Sequence, residues 1–213
     1  HGLSLGFSIK LYSRVIVSYK ESNERGILNY SSREEYKNIE SISHPIIRSC
    51  LKRLNVQKKL ELTSIGDIQS GSGLGSSSSF SGALVKAISE LNSLGFNNHE
   101  IAHIASEIEI KDLGNNIGRQ DQYLCALGGI NVLGFHPGGR VNTIDIPNLR
   151  KAIQNFSKDL YLVDTTISRD ATEKLSNLKK EKNSAKFIKN LLEISIQFIE
   201  NCKSLNEKDI QEL

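Results

Sequence analysis

A glycine- and serine-rich segment at residues 70–79 constrains this 213-residue chain more than any other stretch. It follows a short run in which Leu60 and Leu62 alternate with charged residues, which is typical of a half-buried strand. Apolar residues then recur at three- and four-residue spacing from Phe80 to Leu94, the pattern of a helix with one buried face. The segment is therefore predicted to be a loop that joins a strand directly to a helix.

This loop has the properties of an anion-binding site. Its glycines permit positive φ angles and a close approach of the backbone to a ligand. The first turn of the following helix presents unpaired N–H groups and a partial positive charge, which together favour phosphate. The candidate nucleotide-binding residues are Gly71, Ser72, Gly73, Leu74, Gly75, Ser76, Ser77 and Ser78.

Two other interpretations of the loop are weaker. A flexible linker often has this composition, but a linker seldom joins a strand to a helix without polar residues on either side. A Walker A loop would require a Gly-Lys pair followed by Ser or Thr, whereas the next lysine after the loop is Lys86.

Two acidic residues downstream are candidates for phosphoryl-transfer chemistry. This reaction needs a group that orients or accepts the alcohol proton and a carboxylate that holds Mg²⁺ against the nucleotide phosphates, and Asp121 and Glu109 could supply them. Taken alone, Glu109 would be interpreted as an exposed helix carboxylate and Asp121 as a helix N-cap. Glu107 and Asp112 compete with Glu109 for the metal.

The loop resembles a signature motif of the GHMP superfamily, which includes galactokinase, homoserine kinase, mevalonate kinase and phosphomevalonate kinase. The second motif of that family is Pro-x-x-x-Gly-Leu-Gly-Ser-Ser-Ala, and residues 73–77 of this chain are Gly-Leu-Gly-Ser-Ser. Gln69 replaces the proline and Ser78 replaces the alanine, and neither change removes a phosphate donor. The resemblance implies an ATP-dependent kinase that uses Mg²⁺.

The same resemblance assigns roles to individual residues. In this family the aspartate of a Gly-x-x-Asp-Gln segment is the catalytic acid or base candidate, and it corresponds to Asp121. The glutamate at the end of the preceding helix binds Mg²⁺, which implies Glu109 with Ser77 as the second ligand.

Residues 117–123 and 128–131 resemble one branch of the superfamily, which phosphorylates D-glycero-D-manno-heptose 7-phosphate at its anomeric hydroxyl. This resemblance implies that Gly118, Asp121 and Arg169 contact the sugar phosphate. A surface ion pair is the alternative for Arg169.

The family resemblance also implies an α+β fold with two domains. Residues 1–150 would form a nucleotide-binding domain like domain 2 of ribosomal protein S5, and residues 151–213 would begin a ferredoxin-like C-terminal domain. The first and third motifs of the family are absent, so the chain is expected to be incomplete at both ends. Outside the site, the residue pattern predicts a strand from Phe7 to Tyr19, a helix beginning near Pro45, a helix capped by Asn97 or Asn98, and strands at 130–135 and 160–163.

Composition excludes several other classes of protein. The 27 basic and 24 acidic residues are interleaved, which argues against nucleic acid as a partner. No apolar run approaches the ~18 residues of a membrane span, and three widely spaced cysteines favour a reducing cytoplasm. The expected partner is a small-molecule sugar phosphate, and a homodimer is left open. The rival interpretations are a free-sugar kinase of the galactose or fucose type and a noncatalytic nucleotide- or sugar-binding module.

Overall fold

The computed structural model describes residues 2–21, 24–146, 149–156, 160–163 and 184–204, and these residues form two compact units. Residues 10–21 and 24–127 make up what we call the large unit. Residues 2–9 and the described residues from 128 onwards make up the small unit. In chain order the elements are β1 (Gly2–Phe7), β2 (Ser13–Tyr19), β3 (Gly26–Asn29), β4 (Arg33–Tyr36), α1 (Pro45–Arg53), β5 (Leu60–Gly66), α2 (Ser76–Leu91), α3 (Asn98–Glu107), α4 (Gln120–Leu127), β6 (Ile130–Phe135), β7 (Val141–Ile144), α5 (Leu149–Phe156) and α6 (Ser184–Ser204).

A four-stranded sheet with the order β2-β5-β3-β4 forms one layer of the large unit. The β3–β5 pair is parallel, and the β2–β5 and β3–β4 pairs are antiparallel. Leu60 and Leu62 of β5 are fully buried, as their alternation predicts, and α2 packs against β2 and contacts α1, α3 and α4. The largest fully buried apolar side chains of this core are Leu28, Ile42, Ile47, Leu51, Leu60, Leu62, Leu84, Ile88 and Ile108.

Two predicted helix starts of the large unit are confirmed. Pro45 occupies the first position of α1, where its missing N–H is no loss. Asn97 caps α3 in a capping box: its side chain accepts the Glu100 N–H at 3.0 Å, and the Glu100 carboxylate accepts the Asn97 N–H at 2.8 Å. Such a cap stabilises a helix by ~1 kcal/mol and so fixes where α3 begins.

The prediction of a single strand from Phe7 to Tyr19 is wrong. β1 ends at Phe7 and pairs with β6, whereas β2 begins at Ser13 and pairs with β5 in the other sheet. The connection is held at Asp67, whose carboxylate accepts the Tyr12 N–H at 2.9 Å and whose own N–H donates to the Tyr12 carbonyl at 3.0 Å. Alternation shows which residues share a face, but it does not show which strand they pair with.

The small unit contains a three-stranded antiparallel sheet with the order β1-β6-β7. Its buried core comprises Val132, Ile146, Leu149 and Ile199. The predicted strand at 130–135 is confirmed as β6, but the predicted strand at 160–163 is wrong. All four residues of that stretch are exposed and make no strand, because an apolar run becomes a strand only where a neighbouring strand can pair with it.

The α+β class predicted from the sequence is confirmed by these mixed sheets and helices. The division into domains at residue 150 stays a prediction. None of the helices in the described ranges combines the length and the apolar character that crossing a membrane would require.

Candidate phosphate and metal site

The loop between β5 and α2 has the backbone that its glycines predict. Gly71, Gly73 and Gly75 have φ angles of 81°, 79° and 69°, in the left-handed region. Gly75 is the N-cap residue of α2, and its carbonyl accepts the Ser79 N–H at 2.8 Å. Because Gly75 has no side chain to cap the helix, the N–H groups of the first turn are left for an external acceptor such as phosphate.

The side chains of the loop differ in what they can offer a ligand. Ser72, Leu74 and Ser77 are exposed, whereas Ser78 is buried. The Ser72 hydroxyl also accepts the Leu74 N–H at 3.4 Å, a long bond within the loop. Ser78 could therefore bind a ligand through its backbone N–H but not through its hydroxyl, while the Ser77 hydroxyl is accessible.

Glu109 lies in a π-helical turn, Ile108–Asp112, that continues α3. Its side chain is only 2% exposed, so the interpretation as a solvated helix carboxylate is wrong. The Ser77 hydroxyl donates to Oε2 at 2.7 Å and the Gln122 Nε2 donates to Oε1 at 2.9 Å. Isolated π-helical turns are rare, and many of those that occur lie at functional sites.

The two rival carboxylates are paired with basic side chains. Glu107 accepts hydrogen bonds from Lys111 at 2.5 Å and Arg119 at 3.0 Å. Burial alone would raise the pKa of Glu107, but the hydrogen bond from Lys111 and the charges of Lys111 and Arg119 hold that pKa below its usual range.

Asp112 binds the Arg53 guanidinium through both oxygens, at 2.7 and 2.5 Å. Arg53 and Arg119 thus already neutralise Asp112 and Glu107, respectively. Of these three carboxylates, the one that faces the loop is Glu109.

Asp121 lies in the first turn of α4, directly beside the loop. The Arg119 carbonyl accepts the Tyr123 N–H at 3.3 Å, which puts Arg119 at the cap position and contradicts the N-cap interpretation of Asp121. A Cβ atom built on Gly75 would lie 3.7 Å from the Asp121 Cβ. The Asp121 side chain is exposed, but the surrounding protein desolvates its carboxylate and raises its pKa, against the effect of a hydrogen bond from Gln120.

Two successive residues of α4 thus lie at the site: Asp121 lies beside Gly75 of the loop, and Gln122 donates to Glu109. Gln122 was missed as a site residue in the sequence, although it follows Asp121 directly in the Asp-Gln pair of the motif. Gly118 is exposed and precedes α4, and nothing lies within 4 Å of a Cβ atom built on it. Arg169 lies outside the described residues.

The Ser77–Glu109 pair fits a Mg²⁺ ion. The 2.7 Å between Ser77 Oγ and Glu109 Oε2 is close to the roughly 2.9 Å between neighbouring ligands of an octahedral ion with 2.0–2.1 Å bonds. Within the described ranges, no group of three or more His, Cys, Asp or Glu residues could hold a metal. A Mg²⁺ ion here would therefore need water and phosphate oxygens as further ligands, which is its usual arrangement beside a nucleotide.

These features define a class: an α+β domain with a glycine loop suited to an anion and a carboxylate–hydroxyl pair beside the loop suited to Mg²⁺. Residues 42–129 match the family described as the GHMP kinases N terminal domain. The family resemblance of the loop motif is thereby confirmed.

The sequence of the chain is also similar to that of a D-glycero-alpha-D-manno-heptose 7-phosphate kinase from Campylobacter jejuni. The two sequences are 31% identical over 188 residues, which is 81% of this chain and 54% of that protein. The chain therefore spans about half the length of this curated relative.

Solved structures of kinases share the fold. A D-glycero-D-manno-heptose 1-phosphate kinase from Bacteroides thetaiotaomicron superposes with a TM-score of 0.66 at 25% identity, covering 94% of this chain and 68% of that one. A mevalonate kinase from Methanococcus jannaschii gives a TM-score of 0.66 at 18% identity, covering 98% and 68%, and at that identity it shows the fold alone.

Proposed function

We propose that this protein is an ATP-dependent sugar-phosphate kinase that phosphorylates the anomeric hydroxyl of D-glycero-D-manno-heptose 7-phosphate, in the synthesis of nucleotide-activated heptose. One observation carries the proposal: the glycine loop, the Ser77–Glu109 pair and Asp121 come together within the large unit. The similarity to heptose phosphate kinases supports the choice of sugar.

In the proposed mechanism the loop binds the nucleotide phosphates through the N–H groups at the start of α2. Ser77 and Glu109 hold Mg²⁺, which when bound supplies positive charge against the phosphate oxygens. Asp121 orients the acceptor hydroxyl and accepts its proton. Because its pKa is raised, the ionised Asp121 is a better proton acceptor than an ordinary aspartate.

The proposal extends to the remaining partners. Gly118 and Arg169 would contact the sugar phosphate, as the family resemblance implies. We propose a cytoplasmic enzyme, because the proposed reaction needs ATP, and we propose no nucleic-acid or membrane partner.

The D121N variant tests the role of Asp121. General acid–base catalysis contributes about 10²–10⁴-fold, so kcat should fall at least 100-fold while the Kd for a nonhydrolysable ATP analogue stays within about threefold. E90Q is the matched control, because Glu90 is an exposed carboxylate near the far end of α2 and should leave both quantities unchanged. Equal losses of turnover and of nucleotide affinity in D121N would contradict the assigned role.

A substrate panel tests the choice of acceptor. Purified chain with ATP and Mg²⁺ should transfer phosphate to heptose 7-phosphate and not to unphosphorylated heptose, galactose or fucose. Preference for a free sugar would replace the proposal with a free-sugar kinase. Nucleotide binding without transfer to any sugar would replace it with a noncatalytic binding module.

A further inference from the structure

Gln122 is fully buried in the first turn of α4, next to Asp121 in sequence. Its Nε2 donates to Glu109 Oε1 at 2.9 Å, while the Ser77 hydroxyl donates to Glu109 Oε2 at 2.7 Å. The two oxygens of the Glu109 carboxylate are therefore held from two different helices. Rotation of the carboxylate would break both hydrogen bonds.

The orientation of the Gln122 amide follows from its partner. An ionised carboxylate can only accept hydrogen bonds, so the amide must direct its NH₂ group at Glu109. This leaves Gln122 Oε1 buried and without a hydrogen-bond partner among the described residues. A buried acceptor without a partner destabilises the fold, so packing alone does not explain a glutamine at this position.

We propose that Gln122 is a positioning residue for the metal: it fixes Glu109 so that Oε2 stays directed toward Ser77 and the loop. This inference rests on the proposed function, in which Glu109 and Ser77 hold Mg²⁺. Outer hydrogen-bond partners that orient a ligand commonly account for 10–100-fold in metal affinity. Because Asp121 and Gln122 are adjacent, the first turn of α4 would position both the proton acceptor and the metal ligand.

The Q122M variant tests the inference, since methionine keeps the length of the side chain and removes the donor. The probe is Mn²⁺, which prefers the same oxygen ligands as Mg²⁺, titrated into the full chain with a nonhydrolysable ATP analogue and followed by electron paramagnetic resonance. We expect the Kd for Mn²⁺ to rise at least tenfold, while the affinity for the analogue without metal is unchanged. In turnover assays the Mg²⁺ concentration for half-maximal rate should rise by a similar factor.

A double-mutant cycle with E109Q separates positioning from a general structural effect. If Gln122 acts through Glu109, adding Q122M to E109Q should weaken Mn²⁺ binding no further, and this comparison needs no turnover. S81A is the matched control, because Ser81 is a fully buried α2 residue whose hydroxyl has no partner in the described part of the chain. It should bind Mn²⁺ like the wild type.

The outcomes distinguish this inference from the proposed function. Two results would overturn the positioning role and leave the kinase proposal intact. One is a folded Q122M with wild-type Mn²⁺ affinity. The other is a loss of Mn²⁺ affinity on adding Q122M that is equally large in the wild type and in E109Q. If Q122M unfolds, as judged by circular dichroism, Q122L, which also lacks the donor, replaces it in the cycle with the same expected result. Wild-type chain that binds metal and analogue but transfers no phosphate would overturn only the kinase proposal, and wild-type chain that binds neither would overturn both.

Discussion

Replacing Gly75 by alanine would test whether the loop and Asp121 share one site. A Cβ atom at this position would lie 3.6 Å from Cys125 Sγ and 3.7 Å from Asp121 Cβ, which are ordinary van der Waals contacts. The added methyl group therefore causes no clash, but it fills the space between the loop backbone and Asp121. Its direct cost comes from the backbone, since Gly75 has a φ angle of 69°.

The size of the stability effect follows from that φ angle. An L-residue in the left-handed region costs roughly 1–2 kcal/mol, and the lower unfolded-chain entropy of alanine offsets about 0.4–1 kcal/mol of this. G75A should therefore lower the free energy of unfolding by about 1 kcal/mol. For a protein of this size that corresponds to a fall in Tm of roughly 2–4 °C.

G73A is the matched comparison for G75A. Gly73 has a similar φ angle of 79°, but nothing lies within 4 Å of a Cβ atom built on it. The two variants should lose the same stability, measured by thermal or urea unfolding. G75A should have a kcat/KM lower than that of G73A by about tenfold or more, because its methyl group fills the space between the loop and Asp121 in which the reacting groups must align. G82A, in the interior of α2, should instead raise stability by about 0.5–1 kcal/mol.

The comparison can fail in two ways. Equal kcat/KM values for G75A and G73A would mean that the space between Gly75 and Asp121 is not used in the reaction. If both variants are as stable as the wild type, Gly73 and Gly75 do not have the left-handed backbone conformation described for the loop.

The remaining predictions concern charge. Because burial raises the pKa of Asp121, wild-type stability should fall as pH rises from the usual aspartate value of about 3.9 through the raised value. D121N should thus gain stability over the wild type across this window and match it at lower pH; a difference independent of pH would refute the desolvation of Asp121. E109Q removes a buried negative charge but keeps its hydrogen bonds, since the Ser77 hydroxyl can also accept. The Tm of E109Q without metal should equal or exceed that of the wild type, and Mg²⁺ with an ATP analogue should raise the Tm of E109Q less than that of the wild type. The control is D112N, which changes the carboxylate paired with Arg53 and should keep the full Mg²⁺-dependent rise in Tm. The same loss of this rise in both variants would contradict the assignment of Glu109.

Local signals in the sequence were enough to predict most helices and the loop. Pro45, the Asn97–Glu100 capping box and the glycines of the loop each act within a few residues, so their consequences do not depend on distant partners. The apolar periodicity from Phe80 predicted helix α2, but the helix begins four residues earlier, at Ser76, within the stretch predicted to be loop.

Strand pairing could not be predicted in this way. Ile9 and Leu11 continue the alternation of β1 toward β2, yet both are exposed and lie outside either strand. The break depends on Asp67, which is more than 50 residues away from Tyr12 in sequence and holds the turn through its carboxylate and its N–H. The prediction of a strand at 160–163 was also wrong because of pairing: its exposed apolar residues have no neighbouring strand in the described part of the chain.

The choice among Glu107, Glu109 and Asp112 shows why the site itself needed the fold. Burial sets the exposed Asp112 apart but does not separate Glu107 from Glu109, which are 5% and 2% exposed. Their partners do: basic side chains neutralise Glu107 and Asp112, whereas the hydrogen bonds to Glu109 come from the neutral groups of Ser77 and Gln122. A buried carboxylate held by neutral donors keeps its negative charge uncompensated, which is unfavourable for an isolated fold and favourable for a site that receives a cation. Because these partners come from helices that are distant in sequence, only the packing of α2, α3 and α4 identifies Glu109 as the residue prepared for a metal.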